Sequence, residues 1–189
     1  MNIVGLLLAA GSATRFGSDK LSHRLPHGVG IAAQSARHLH SVVPTIFAVV
    51  KPGAEELART LSAECQVVVC ENAADGMGAS LACAARAAGK ADGYLVALAD
   101  MPFVRASTIA AVRDALASGA PLAAPYFRAR RGHPVGISGR FFDDLLACEG
   151  DEGAKALFAS GEVTKVPVGD PGVLRDIDTP ADLMPPSKV

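Results

Sequence analysis

Ile3-Val-Gly-Leu-Leu-Leu-Ala-Ala-Gly11, running on through Ser12-Ala-Thr-Arg15-Phe-Gly17-Ser-Asp-Lys20, is the stretch from which the rest of the chain is read. Its apolar run stops after about eight residues, the length of a strand buried on both faces. A membrane span would need roughly 18, and no basic segment precedes the run as in a secretory leader. The strand ends in small residues, Ala9-Ala10-Gly11, so a ligand can come close to the backbone there. Amide groups around residues 10–14 can form an anion-binding concavity. Arg15 offers a planar fork beside it and Lys20 a mobile point charge. Gly11, Gly17 and Lys20 do not have the spacing of a G-x-x-x-x-G-K-[S/T] phosphate loop. Nor is this a G-x-G-x-x-G dinucleotide fingerprint, which counts against a nicotinamide oxidoreductase.

Outward from this strand, apolar bursts at 45–50, 66–70, 93–99, 122–127, 134–138 and 163–168 alternate with helical stretches at 31–42, 54–63, 80–88 and 104–117. In the last helix Val104, Ile109, Val112 and Leu116 form one apolar stripe. Such alternation predicts an α/β fold, a mostly parallel sheet with helices on both faces. The 189 residues suit one domain, more irregular from about Pro121, with a tail at 185–189 expected to fray. Half the residues are hydrophobic and mean hydropathy is +0.29, which excludes a disordered chain. A net charge of −1 and 5% aromatics leave no basic field or stacking platform for nucleic acid, and no anionic-membrane surface. Cys65, Cys70, Cys83 and Cys148 have no metal or disulfide spacing and read as reduced thiols of a cytoplasmic protein.

Four further segments carry chemistry. Leu98-Ala-Asp100-Met-Pro-Phe103 delivers a carboxylate at the end of a buried strand, where it suits Mg²⁺ or a helix N-cap. Gly76-Met-Gly78-Ala-Ser80 opens a helix; Ser80 serves a ligand or caps the helix. Arg128-Ala-Arg-Arg-Gly-His133-Pro-Val-Gly136 is either a cradle for an acidic acceptor or a solvated hairpin. In Asp176-Ile-Asp178-Thr-Pro-Ala-Asp182, Thr179 and Pro180 are a helix start, which leaves Asp176 and Asp178 to be explained.

L-A-A-G-x-x-x-R-F-G-x-x-K strongly resembles the signature of the MobA-like NTP transferases, and A-D-M-P, G-M-G-x-S, G-H-P-V, G-D-x-G-A-[R/K] (here 150–155) and D-[IV]-D-T-P-x-D follow in the family's order over about residues 2–184. The resemblance implies a three-layer Rossmann-like fold of the glycosyltransferase-A type. It also implies one NTP transferase domain, with a nucleotide-binding part at about 1–120 and an acceptor-binding part at about 121–184. Its Ala-Ala-Gly form looks like the molybdenum cofactor cytidylyltransferase branch: CTP as donor, a molybdopterin-type acceptor, a molybdoenzyme as a possible recipient. The implied NTP site is Leu8, Ala9, Ala10, Gly11, Arg15, Lys20, Gly78, Ser80 and Asp100, with Arg15, Lys20 and Asp100 catalytic. Asp100 and Asp176 would hold Mg²⁺, and His133, Asp151 and Asp178 would face the acceptor. Guanylyl or other nucleotidyl transfer and a non-catalytic nucleotide or cofactor carrier are the alternatives. One departure bears on base choice: the family's G-x-P-[LIV] reads Gly28-Val-Gly-Ile31 here.

Overall fold

Every residue of the first strand, Ile3–Leu8 (β1), is buried, and its two faces feed two separate cores. Ile3, Leu7 and Ala9 pack on one side, and Val4, Leu6, Leu8 and Ala10 on the other. This alternation is the period of a strand covered on both faces. The computed structural model describes residues 1–11, 20–160 and 162–184, so Arg15 and the tail at 185–189 lie outside the described residues.

The remaining strands are β2 (Ile46–Val50), β3 (Gln66–Val69), β4 (Gly93–Leu98), β5 (Leu122–Phe127), β6 (Arg130–Arg131), β7 (Val135–Ser138) and β8 (Val163–Pro167). The helices are α1 (Ile31–His40), α2 (Glu55–Leu61), α3 (Met77–Ala88), α4 (Ala106–Ala117), α5 (Phe142–Leu146) and α6 (Lys155–Ser160). Strand order is β3-β2-β1-β4-β7-β5-β6, with β8 also pairing β5. The expected parallel sheet is present in β3-β2-β1-β4 and β5-β8, while β7 runs antiparallel to both of its neighbours. Helices α1, α2 and α4 cover one face; α3, α5 and the Phe158 end of α6 cover the other. This is the expected three-layer α/β architecture. Among the described residues, no helix is long and apolar enough to cross a membrane.

Chain direction sets the location of the ligand crevice. From β1 the chain steps outward to β2 and β3, then returns to place β4 on the other side of β1. Open α/β sheets bind ligands outside the carboxyl ends of the strands at such a reversal, here the ends of β1 and β4. A second constraint comes from far along the chain. Asp170, 2% exposed, accepts hydrogen bonds from the backbone N–H of Arg105 (2.9 Å), the hydroxyl of Thr108 (2.7 Å) and the N–H of Gly172 (3.0 Å). It thus serves as the acceptor at the start of α4 that Arg105, in the N-cap position, lacks. For that reason α4 begins at Ala106, two residues later than its apolar stripe suggests.

The segment that departs from G-x-P-[LIV] keeps the geometry of the missing proline. Gly30 has φ −64, the angle that proline enforces, with ψ 148 in the extended region open to proline. Leu25 and Ile31 donate to Val29 and His23 across the Arg24–Gly30 bridge, so the Gly30 N–H takes no part in it. A Cβ at Gly30 would have its nearest neighbour, the Ser22 carbonyl oxygen, 3.7 Å away. Gly30→Pro should therefore raise unfolding stability by about 0.4–1 kcal/mol through the unfolded chain; a loss in urea denaturation would refute this account of the turn. Asp170→Ala, which orphans three donors, should cost about 3 kcal/mol and roughly 6–12 °C in Tm. An unchanged midpoint would mean that water serves those donors as well.

Candidate active site

The strand alternation that builds the two cores also builds the site. Leu8 and Ala10 point to the α3 side of the sheet, and on β4 so do Val96 and Leu98. Carrying the alternation past the end of β4 puts Ala99 in the opposite core and Asp100 in the crevice. The result is a cleft of ≈ 380 Å³ whose lining includes Leu8, Ala10, Gly11, Lys20, Ser80 and Asp100. Ala9 lies on the other face of β1, in the core, with its N–H on the Val49 carbonyl. Its side chain does not line the cleft.

The charged end of the cleft is assembled from three distant segments. Lys20 Nζ lies 3.0 Å from Asp100 Oδ2 and 3.3 Å from Asp178 Oδ1. Asp100, Asp176 and Asp178 each bring a carboxylate oxygen into one group, all within 4.8 Å of one another. Ile177 explains how the last two arrive there. Its side chain is fully buried in the α1–α2–α4 core, and its N–H donates to the Asp100 carbonyl at 2.9 Å. The flanking aspartates are thereby held at the end of β4. Thr179 and Asp182 close a capping box behind them, with the Thr179 hydroxyl 2.7 Å from Asp182 Oδ2.

The electrostatics follow from burial. Burial would lower the Lys20 ammonium, but the charge and hydrogen bond of Asp100, with those of Asp178, outweigh it and raise its pKa above the usual value. Burial lifts the Asp100 carboxyl above the ordinary carboxylate range; Lys20 opposes this and the Asp176 charge adds to it. Three carboxylates around one ammonium leave an excess of negative charge and hard oxygen donors, which fits a Mg²⁺- or Mn²⁺-type cation.

The opposite wall comes from the start of α3 and the 149–151 loop. A Cβ on Gly76 would stand 2.5 Å from the Gly150 carbonyl, and one on Gly78 would stand 2.3 Å from the Glu149 carbonyl. Gly78 donates its N–H to Gly150 at 2.7 Å. The paired glycines let the loop lie on the helix start, and α3 begins at Met77 rather than at Ser80 as its pattern suggests. Gly78 itself sits under the loop, away from the cleft lining. Ser80 does line the cleft, with its hydroxyl 3.4 Å from the Gly76 carbonyl.

A second cavity of ≈ 130 Å³ adjoins the first and shares Leu8, Met77 and Leu98 with it. Arg131, His133, Glu152, Lys155 and Phe158 complete most of its wall. The Arg131 guanidinium lies 5.0 Å from the centre of the Phe158 ring. Of the three residues expected on the acceptor side, His133 lines this cavity, whereas Asp151 and Asp178 line the larger cleft. The basic segment divides in the same way: Arg128 forms the turn between β5 and β6 at φ 48, and Arg131 reaches the cavity. Phe158 and the cleft residues Ala73 and Ala74 carry no sequence signal of their own, and Lys155 stood only inside the quoted 150–155 motif.

Comparison with known proteins agrees with this geometry. The purine catabolism protein PucB of Bacillus subtilis (strain 168) is 30% identical over 196 residues, covering 95% of this chain and 93% of that protein. The crystal structure of Rv0371c from Mycobacterium tuberculosis H37Rv has a TM-score of 0.80 at 24% identity over 96% of both chains; its complex with manganese scores 0.78. A nucleotidyl transferase from Methanothermobacter thermautotroptrophicus (Mth528) has a TM-score of 0.80 at 24% identity, covering 95% of this chain and 93% of that one. The MobA-like NTP transferase domain matches residues 5–166, and the chain belongs to that family.

Proposed function

We propose that the chain transfers CMP from CTP to the terminal phosphate of a molybdopterin-type acceptor in the cytoplasm, releasing pyrophosphate and passing the product to a molybdoenzyme. The observation that carries this reading is the meeting of Lys20 with Asp100, Asp176 and Asp178 at the mouth of the cleft, where β1 and β4 end. Leu8 to Gly11 receive the triphosphate, Ala9 through its backbone. Ser80, at the start of α3, borders the base and ribose, with Gly78, the other residue expected there, behind it under the 149–151 loop. Arg15, outside the described residues, acts beside Lys20 on the phosphates. The acceptor occupies the smaller cavity at His133, with Asp151 and Asp178 at its junction with the cleft.

Mg²⁺ at Asp100 and Asp176 would supply positive charge against the triphosphate oxygens. Before substrate enters, Lys20 holds Asp100 and Asp178 in place. It carries three donors and can turn one to a phosphate oxygen. An oxygen of the acceptor phosphate then attacks the α-phosphorus. The bond to the oxygen bridging toward the β-phosphate breaks, and pyrophosphate leaves with the electron pair. The rate comes from positioning and charge neutralisation. The acceptor phosphate is already ionised near neutral pH, so the reaction needs no strong base. His133, pushed down to about 4 by burial and then by Arg131, is a neutral wall residue.

Calorimetric titration should show CTP binding that requires Mg²⁺ and exceeds GTP binding; preference for GTP would transfer the donor assignment. Asp100→Asn should lower pyrophosphate release at least ~10³-fold, about 4 kcal/mol in the barrier, with unchanged circular dichroism. Near-normal turnover in that variant would remove Asp100 from the metal site. Lys20→Met frees two carboxylates, so Mn²⁺ alone should bind about tenfold more tightly, a change of about 1.4 kcal/mol, while CTP binds more weakly. Asp100 holds its proton to higher pH than an ordinary carboxyl. Mn²⁺ affinity of the wild type should therefore fall on acidification before the usual carboxylate range near pH 4 is reached. A flat profile down to that range would contradict the burial of Asp100.

A further inference from the structure

Behind the acceptor cavity lies a third, much smaller space, ≈ 10 Å³, whose lining includes Ser35 and His38 of α1, Met101 and His133. It is the size one water requires. His38 and His133 each present to the protein interior an Nδ1 atom that is shielded from solvent and has no hydrogen-bond partner among the described residues. A buried, unpaired polar atom costs about 1–3 kcal/mol, and two on the lining of one cavity call for a shared partner.

The other nitrogen of His38 is already committed. His27 Nε2 lies 3.1 Å from Gln34 Oε1, and Gln34 Nε2 lies 2.6 Å from His38 Nε2. His27 donating to the amide oxygen turns the amide N–H₂ to His38, whose proton then sits on Nδ1. The Val96 backbone favours a proton on the His133 ring, while burial and the neighbouring Arg131 charge outweigh it and keep the ring neutral. The one ring proton of the neutral imidazole then goes to the nitrogen that meets this backbone, and the unpartnered Nδ1 is left as a lone pair. One donor and one acceptor thus share a space of one molecule. The Ser35 hydroxyl, which donates to the Ala99 carbonyl at 2.9 Å, adds a further acceptor. Water, with two donors and two acceptors, completes all three contacts and would also bridge the rings were the Gln34 amide reversed.

We propose that this cavity holds a resident water bridging His38 Nδ1 and His133 Nδ1, and that His38 thereby acts as a positioning residue that fixes the ring and tautomer of His133. The importance of His133 for the acceptor rests on the transfer reading above; the water site does not.

The experiment is NMR on ¹⁵N-histidine-labelled full-length protein without substrates, combined with water relaxation dispersion. In the wild type, the His133 ring proton should show cross-relaxation with a long-lived water, and its nitrogen shifts should report a single tautomer with Nδ1 unprotonated. His38→Leu should remove one long-lived water and leave the His133 ring averaging between states. His38→Asn, which returns a donor at the position of Nδ1, should restore both signals. Absence of the wild-type water signal would overturn the site, as would a transition metal found at the two rings by elemental analysis. His133 signals unaltered in His38→Leu would overturn the positioning role. If His38→Leu does not fold, the wild-type and His38→Asn spectra decide the matter. Neither readout requires turnover, so failure of CTP transfer would leave the result standing.

Discussion

The site depends on one backbone hydrogen bond, from the Ile177 N–H to the Asp100 carbonyl. Three carboxylates within 4.8 Å repel one another, and at effective protein dielectric such repulsion amounts to several kcal/mol. No surface loop would hold that arrangement by itself. Here the opposing free energy is the burial of Ile177 in the core that α1, α2 and α4 form on β1 and β4. Asp170 keeps the approach to that segment in register by tying it to the start of α4. Lys20 offsets part of the charge and leaves the excess that a divalent cation needs.

The sequence made the sheet legible wherever both faces of a strand are covered, because uninterrupted apolar runs such as Ile3–Leu8 occur in few other settings. It made Asp100 legible because a carboxylate directly after such a run has to emerge at a strand end. Two things stayed hidden because they are set by partners far away in the chain, and a third because its helices are short. Asp170 looks like an ordinary loop residue until Arg105 and Thr108 arrive from 65 and 62 positions away. Gly76 and Gly78 resemble an anion-binding turn, yet their lack of a side chain serves the 149–151 loop. The five-residue α5 and six-residue α6 are too short for a helical period to register.

Asp176 and Asp178 show where local pattern and assembled geometry diverge. Alternation around Ile177 places both on the side away from the core, so the sequence offers no way to divide them between metal and acceptor. In the fold both join Asp100, and Asp178 pairs with Lys20 as well. The larger cleft and the smaller cavity meet across Leu8, Met77 and Leu98. Any group bridging the two spaces must pass these three apolar side chains, while the charged residues lie to either side.

The contact between the glycines of α3 and the 149–151 loop has an evolutionary consequence. Gly76 lines the larger cleft, Gly78 lies behind it under the loop, and the loop continues through Glu152 and Lys155 into the smaller cavity. The seam between them is centred on backbone, the Gly78 N–H on the Gly150 carbonyl, with the Asp151 side chain against Gly76. A seam of that kind is indifferent to side chains beyond it. Substitutions at the exposed Glu152 and Lys155 can therefore change what the smaller cavity accepts, provided the two glycines and the buried Phe158 remain, without disturbing the half of the protein that ends at α3.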